Sequence, residues 1–388
     1  MERYNQWIEV DLSAIASNYE KIKLMIGETS VMAVVKANAY GHGALAVAEL
    51  FQEIKVPYLA VTTLQEGLEL RQGGIDLPVL VFCPMQVWEA PAMAEANLTP
   101  TIDNVEALEA FAEVVGEGMH PVGVKVDTGM GRYGVSPAQV TGLVTAIMEQ
   151  KNLYLEHLYS HFAVPSDQEL SKKQLNLFMK TAQDVEELGI HDFKKHIAGS
   201  IGAQLLPEAR LDIVRIGSLL YGQSVVGVDG EELLKLENTW RFLARITQVR
   251  QAKAGEKIGY GLEYTAKRDM MVGVIPVGYY DGFGVETRAR RENVSNAFRQ
   301  FAREVGKIAA KRQRGVYKGE KLLPVLGRIA MQTTVIDLTG MSLYVGDTVE
   351  VPMRRTTSNP KIVRLYREKG QLVAVSEISG NLRQYIGE

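Results

Sequence analysis

Residues 33–43 read AVVKANAYGHG, a short apolar run that meets a loop of small residues at one lysine, Lys36. The run 31–35 is brief, apolar and rich in β-branched side chains, so it reads as a buried strand with Lys36 at its C-terminal end. Burial disfavours the charged form of a lysine and leaves a nucleophilic amine, which suits Schiff-base chemistry. A strand-end lysine also has a plainer fate, in which its stem covers apolar surface and its ammonium reaches water. The stretch gives a strand and a loop, and leaves two roles for the lysine.

Outward from this strand the same texture repeats. Short apolar runs begin near Val31, Tyr58, Pro78, Thr99, Pro121, Tyr154, Lys194 and Leu211, with helical runs between most of them, such as 44–51, 64–71 and 174–188. A helix at 12–25 precedes the first. Alternating strands and helices call for parallel strands with crossover helices, and eight units predict a closed TIM-type (β/α) barrel. Chemistry in such a barrel sits at the C-terminal strand ends, where Lys36, His161 and Arg215 all fall. After about residue 235 the pattern turns to alternating strands at 242–249, 270–276, 334–338 and 348–352, with turn signals at Ala254-Gly255-Glu256 and Tyr344-Val345-Gly346-Asp347. The expected organisation is an α/β barrel over 10–232 and a mainly β domain over 233–388 that also takes in residues 1–9.

Composition agrees with two domains: 388 residues, 46% hydrophobic and 23% charged, exceed the usual single-domain size. No apolar run approaches membrane-spanning length, and the start MERYNQWIEVDL has no signal-peptide pattern, so a cytoplasmic location is expected. The single cysteine, Cys83, excludes an intrachain disulfide and a cysteine-based zinc cluster, and reads as a small buried hydrophobe. No metal site is expected. A net charge of −3 gives no general case for nucleic acid or an anionic membrane. One segment, 285–314, carries nine Lys or Arg against three Glu, with Phe298, Ala302, Val305 and Ile308 at helical spacing. It reads as a basic amphipathic insertion with one buried face.

The whole string AVVKANAYGHG resembles the pyridoxal-phosphate attachment segment of the alanine racemases, and the resemblance runs from about residue 5 to 366. It implies that Lys36 carries the Schiff base and that Tyr40 binds phosphate. HIAGS (196–200) is similar to another phosphate-contacting string, with Ser200 as donor. VRIGSLLYG (214–222) is similar to the string whose arginine, here Arg215, faces the pyridine nitrogen and whose next amides, Gly217 and Ser218, hold phosphate. An arginine is always protonated and keeps the nitrogen it faces unprotonated, so the cofactor becomes a weaker electron sink and α-carbon reprotonation is favoured over transamination. His161, in LYSHFAV, matches a histidine beside the cofactor.

Racemisation needs proton access to both faces of one carbon, and a pair of bases is the simplest design. Lys36 supplies one by the resemblance, and Tyr260, in GYGLEYTA (259–266), the other. A phenol works as a base only where cations favour phenolate; Arg215 and His161 are the candidates. KVDTGMGRYG (125–134) implies that Arg132 orients substrate carboxylate and that Lys125 is a carbamylation candidate. Tyr279, in VGYYDG, and Met331, in LGRIAMQTTVIDL, match residues at the substrate end. The family further implies a homodimer in which the β-domain tyrosine acts in the neighbouring subunit's barrel.

Three departures qualify the match. Gln332 follows the methionine where the family usually has an acidic residue, Ala330 precedes it where Cys or Ser is usual, and Val363 in KIVRLY replaces a proline. The reading is a racemase interconverting L- and D-alanine for peptidoglycan supply. A racemase for serine or a larger or basic amino acid, and a non-catalytic pyridoxal-phosphate-binding barrel protein, stay as alternatives.

Overall fold

A computed structural model of the chain describes residues 3–226, 231–285, 314–376 and 382–384. Nearly all of the basic segment 285–314, with its four helically spaced apolar positions, lies outside the described residues.

Two compact units emerge: residues 11–239 with 367–371, and residues 1–10 with 240–366 and 372–388. The first is built on eight parallel strands: Ser30–Val34, Tyr58–Val61, Val79–Pro84, Thr99–Ile102, His120–Lys125, Leu153–Tyr159, Lys194–His196 and Ile213–Ile216. The first seven pair in sequence order, and the eighth pairs with the first. The remaining seam is closed by Asp212 N donating to Lys195 O (3.2 Å) and Arg215 N donating to Ala198 O (3.0 Å). Eight strands leave an interior just wide enough for side chains, and Met32, Val34, Ala60, Leu80, Tyr159 and Ile213 fill it.

The helices lie where the apolar spacing put them, with one instructive difference. Leu12–Ile26, Ala44–Glu53 and Leu64–Gln72 match the expected runs, but the helix expected from 174 is Gln168–Glu186. Its polar opening turns carry no apolar stripe. They are helical because Asp167 caps them, its carboxylate accepting from Leu170 N at 3.0 Å.

The second unit holds an eight-stranded antiparallel-rich sheet in which Gln6–Asp11 pairs with Trp240–Arg245, and a three-stranded sheet of Gln248–Ala252, Met270–Ile275 and Thr334–Asp337. The single strand expected over 242–249 is therefore two. Ile246 N donates to Asp347 O and Thr247 N to Val274 O, both at 2.8 Å, so consecutive amides serve different sheets. Val363, in place of the family's proline, packs with Trp7, Leu365 and Val375 in an apolar cluster, where a β-branched residue suits the pleat. Among the described residues no helix is long and apolar enough to cross a membrane.

Candidate active site

Immediately after the first barrel strand the chain makes a left-handed turn. Ala37, Asn38, Ala39 and Tyr40 have φ of 50°, 55°, 50° and 54°, a conformation that costs about 1–2 kcal/mol per non-glycine residue. Side chains hold it. Glu66 accepts from Ala37 N (2.6 Å) and Thr62 N (2.7 Å), Asn38 Oδ1 accepts from Ala44 N (2.7 Å), and buried His42 joins Ala39 O (2.9 Å) to Thr239 Oγ1 (2.8 Å). Strain fixed in this way at a strand end marks a functional position. It turns Lys36 and Tyr40 toward one cavity.

That cavity has a volume of about 390 Å³ and is lined by Lys36, Tyr40, Lys125, Arg132, His161, Ser200, Arg215, Gly217 and Ser218, nine residues singled out in the sequence. Four are cationic groups, and the two arginines weaken the two lysines' hold on a proton. Burial pushes Lys36 down, with Arg132 and Arg215 adding to it against the pull of Glu66. Lys125, also buried and beside Arg132 and Arg215, is pushed down to about 8. Burial and Arg215 push His161 down to about 3, so its imidazole is neutral at physiological pH. This corrects its expected service as a cation favouring phenolate. Arg215 itself is brought down to about 10 by burial and stays charged.

Arg215 is fastened on three sides. Its Nη2 donates to Ser160 O (2.5 Å) and Ile197 O (3.0 Å) and meets His161 Nδ1 (3.0 Å), while Nη1 meets His196 Nδ1 at 2.6 Å. Two residues on, Gly217 N donates to Ser200 Oγ at 3.1 Å. A Cβ on Gly217 would lie 2.3 Å from Tyr40 Oη, so only glycine lets phenol and backbone share this corner. Amide, hydroxyl and phenol together form a small donor cradle fit for a phosphate. Arg132 stands at the exposed rim, on a loop shaped by Asp127, whose Oδ1 accepts from Gly129, Met130 and Gly131 at 2.9, 2.8 and 3.1 Å. Cys83, expected to be buried, is half-exposed, with Sγ 3.7 Å from Tyr133 Oη.

The other three predicted residues belong to the second unit and lie on its surface: Tyr260, Tyr279 and Met331 are 73%, 50% and 55% exposed. Tyr260 is raised on a short turn between Gly259 (φ 84°) and Gly261 (φ 75°). Tyr279 and Met331 are brought together by Tyr279 N donating to Ala330 O and Tyr280 N to Met331 O, both 3.0 Å. This close approach needs Gly278, whose Cβ would lie 2.2 Å from Ala330 O.

Sequence reasoning missed Glu66, His42 and His196. A signal existed for the first, since Thr63 and Glu66 have capping-box spacing. For the two histidines the deciding partners, Thr239 for His42 and Arg215 for His196, are remote in sequence, and no local pattern announces them.

The N-terminal half matches the family model "Alanine racemase, N-terminal domain" over residues 10–225, and "Alanine racemase, C-terminal domain" matches residues 239–373. An alanine racemase of Desulforamulus reducens is 38% identical over 288 residues, 71% of this chain and 76% of that protein. One from Methanococcus maripaludis is 34% identical over 353 residues, 89% of this chain and 88% of that protein. The solved alanine racemase of Clostridium difficile 630 superposes with a TM-score of 0.85 at 26% identity, covering 97% of this chain and 99% of the other. That of Bacillus anthracis with bound L-Ala-P does so at 0.81 and 26%, covering 96% and 97%. With both family domains matched in order, the first over a barrel whose opening strand ends in a lysine-bearing turn, the chain belongs to the alanine racemase family.

Proposed function

We infer that the chain interconverts L-alanine and D-alanine with pyridoxal 5'-phosphate. The observation that carries the reading is the gathering of Lys36, Lys125, Arg132 and Arg215 around one cavity with the Ser200–Gly217–Tyr40 cradle at its wall. Such a charge balance calls for an anionic cofactor and a carboxylate substrate. Lys36 would hold the cofactor's aldehyde end, Tyr40, Ser200, Gly217 and Ser218 its phosphate, Arg215 its ring nitrogen, and His161 would lie beside it. When bound, pyridoxal phosphate supplies a carbonyl carbon for the amino group and an electron-withdrawing ring that acidifies the α-proton.

The chain's own groups do the rest. Arg132, planar and always charged, orients the alanine carboxylate. Lys36, pushed down by burial and by its cationic neighbours, carries an amine able to take or give a proton at Nζ on one face of the α-carbon. Tyr260 Oη of the neighbouring subunit serves the other face. With His161 neutral, Arg215 is the one of that pair that stays charged. Lys125, down at about 8, has a sizeable neutral fraction at physiological pH and lies among like charges. Carbamylation would replace that repulsion with an anionic partner for Arg132.

We propose a homodimer with shared sites, a cytoplasmic location and D-alanine supply for peptidoglycan as its setting. Gln332 and Ala330 favour one second reading, a preference for serine or a larger or basic amino acid, because an acidic side chain is missing beside Met331. Chiral analysis of products from L-alanine, L-serine, L-lysine and L-arginine tests both. Fastest turnover of alanine supports the first reading; a faster competitor shifts the substrate while keeping the chemistry; no racemisation at all overturns both.

A further inference from the structure

Barrel interiors of this kind are filled chiefly by bulky apolar side chains, yet below the cavity a line of ionisable groups runs through this one. Arg215 Nη1 meets His196 Nδ1 at 2.6 Å. The His196 and His157 rings are 5.1 Å apart and nearly perpendicular, at 85°. His157 Nε2 lies 3.5 Å from Glu156 Oε2. The strand Leu153–Tyr159 shifts register against His120–Lys125 between the Val122–Leu155 and Gly123–His157 pairs, so Glu156 is the extra residue of a bulge beside His157.

Proton counting gives the line a direction. Arginine has donors only, so His196 Nδ1 is a lone pair and its proton sits on Nε2. Burial raises the Glu156 carboxyl, while its hydrogen bond with Tyr58 and the charge of Lys194 favour the carboxylate; as a carboxylate it has acceptors only, so His157 Nε2 carries the proton facing Glu156 and His157 Nδ1 is a lone pair. The two nitrogens left over, His196 Nε2 as donor and His157 Nδ1 as acceptor, are the ones that are buried without a partner, in residues 0% and 1% exposed. An unmet donor and an unmet acceptor on adjacent buried rings are costly apart and complementary together.

We propose that His157 is a positioning residue for the racemisation site: its Nδ1 accepts the Nε2 proton of His196, directly or through one buried water, and so completes a one-way hydrogen-bond chain from Arg215 to Glu156 that fixes the guanidinium at the cavity wall. The surroundings keep both imidazoles neutral. Tyr58 lies edge-on to His157 (5.4 Å), Tyr159 stacks on His196 (5.0 Å), and burial, Arg215 and Lys194 push His157 down to about 3. His196 is likewise pushed down by burial, Arg215 and His157. Each ring therefore keeps one proton across the physiological range, and a chain of fixed direction persists.

The activity arm of the test rests on the function proposed above, whereas the spectroscopic arm does not, so the two can fail separately. Imidazole nitrogen shifts of ¹⁵N-histidine-labelled holoenzyme, assigned by single substitution, are expected to show His157 and His196 as neutral Nε2–H tautomers from pH 6 to 9. His157→Phe removes the acceptor. It is expected to lower kcat about tenfold with little change in KM, as a slightly misplaced group does, and to shift the absorbance of bound pyridoxal phosphate. His157→Asn, whose amide oxygen can stand where Nδ1 stands, is expected to recover most of both. A proton on His157 Nδ1, or equal kcat and absorbance in the two variants, would overturn the proposal. Should the Phe variant not fold, the wild-type tautomers still decide it.

Discussion

Lys36, Lys125, Arg132 and Arg215 converge on one cavity of the barrel unit, where burial and the two arginines push both lysines down, whereas Tyr260, Tyr279 and Met331 stand at least half exposed on the second unit. The contrast separates two ways of specifying a site. Barrel residues carry their environment with them, in a left-handed turn pinned by Glu66 and Asn38 and a guanidinium bonded to two carbonyls. Residues of the second unit are held by backbone, through glycines at 259, 261 and 278, and present their side chains outward. Aromatic and methionine side chains exposed in this manner fit an interface better than an isolated surface, in line with the shared-site homodimer proposed above.

Substitutions on the two sides should break this contrast differently. Lys36→Ala is expected to have the largest effect, with racemisation down at least about 10³-fold and no covalently attached cofactor in the absorbance spectrum. Next, Tyr260→Phe should cost about 10²–10⁴-fold in kcat, the range of a lost general acid or base, while the bound-cofactor spectrum stays as in wild type. A changed spectrum would put Tyr260 on the cofactor side of the comparison. Gly217→Ala forces a methyl onto Tyr40 Oη. Overpacking of about 1–3 kcal/mol should then appear as weaker cofactor binding in a titration of the apo protein. Arg132→Lys keeps the charge but loses the planar fork, and KM for alanine should rise roughly tenfold with a smaller change in kcat.

The smallest effect is on stability. Lys125 is brought from 10.5 in the unfolded chain to about 8 in the fold. The unfolded state therefore binds more protons between these values, and the group's contribution to stability rises with pH across that window. Urea unfolding of the apo protein at pH 7.5 and 9.5, beside Lys125→Met, should show the rise in wild type and a flatter response in the variant. An equal slope in both would remove Lys125 as the buried group responsible.

Much of the barrel was legible because its signals are local: eight apolar runs with turns between them, and strings such as AVVKANAYGHG and VRIGSLLYG in which one residue type has one use. What was not legible depends on partners far away in sequence. The break at Ile246 and Thr247 arises because neighbouring amides meet Asp347 and Val274. His161 was read as a possible cation because nothing nearby in sequence announces that Arg215 lies 3.0 Å from it. Cys83 was read as buried because a lone cysteine usually is, and only the fold brings it to Tyr133. The helix Gln168–Glu186 began earlier than its apolar stripe because a cap, unlike a stripe, is a single residue.

Mixing the two inactive chains tests the shared site most directly. Lys36→Ala and Tyr260→Phe chains, each at about a hundredth of wild-type activity or less as a homodimer, are unfolded together, refolded and assayed for D-alanine formation. If every site joins the barrel of one subunit to the tyrosine of its twofold partner, the heterodimer carries one intact site, and statistical mixing returns about a quarter of wild-type activity. Activity no higher than that of the separate variants, with heterodimers present by mass, would contradict the account.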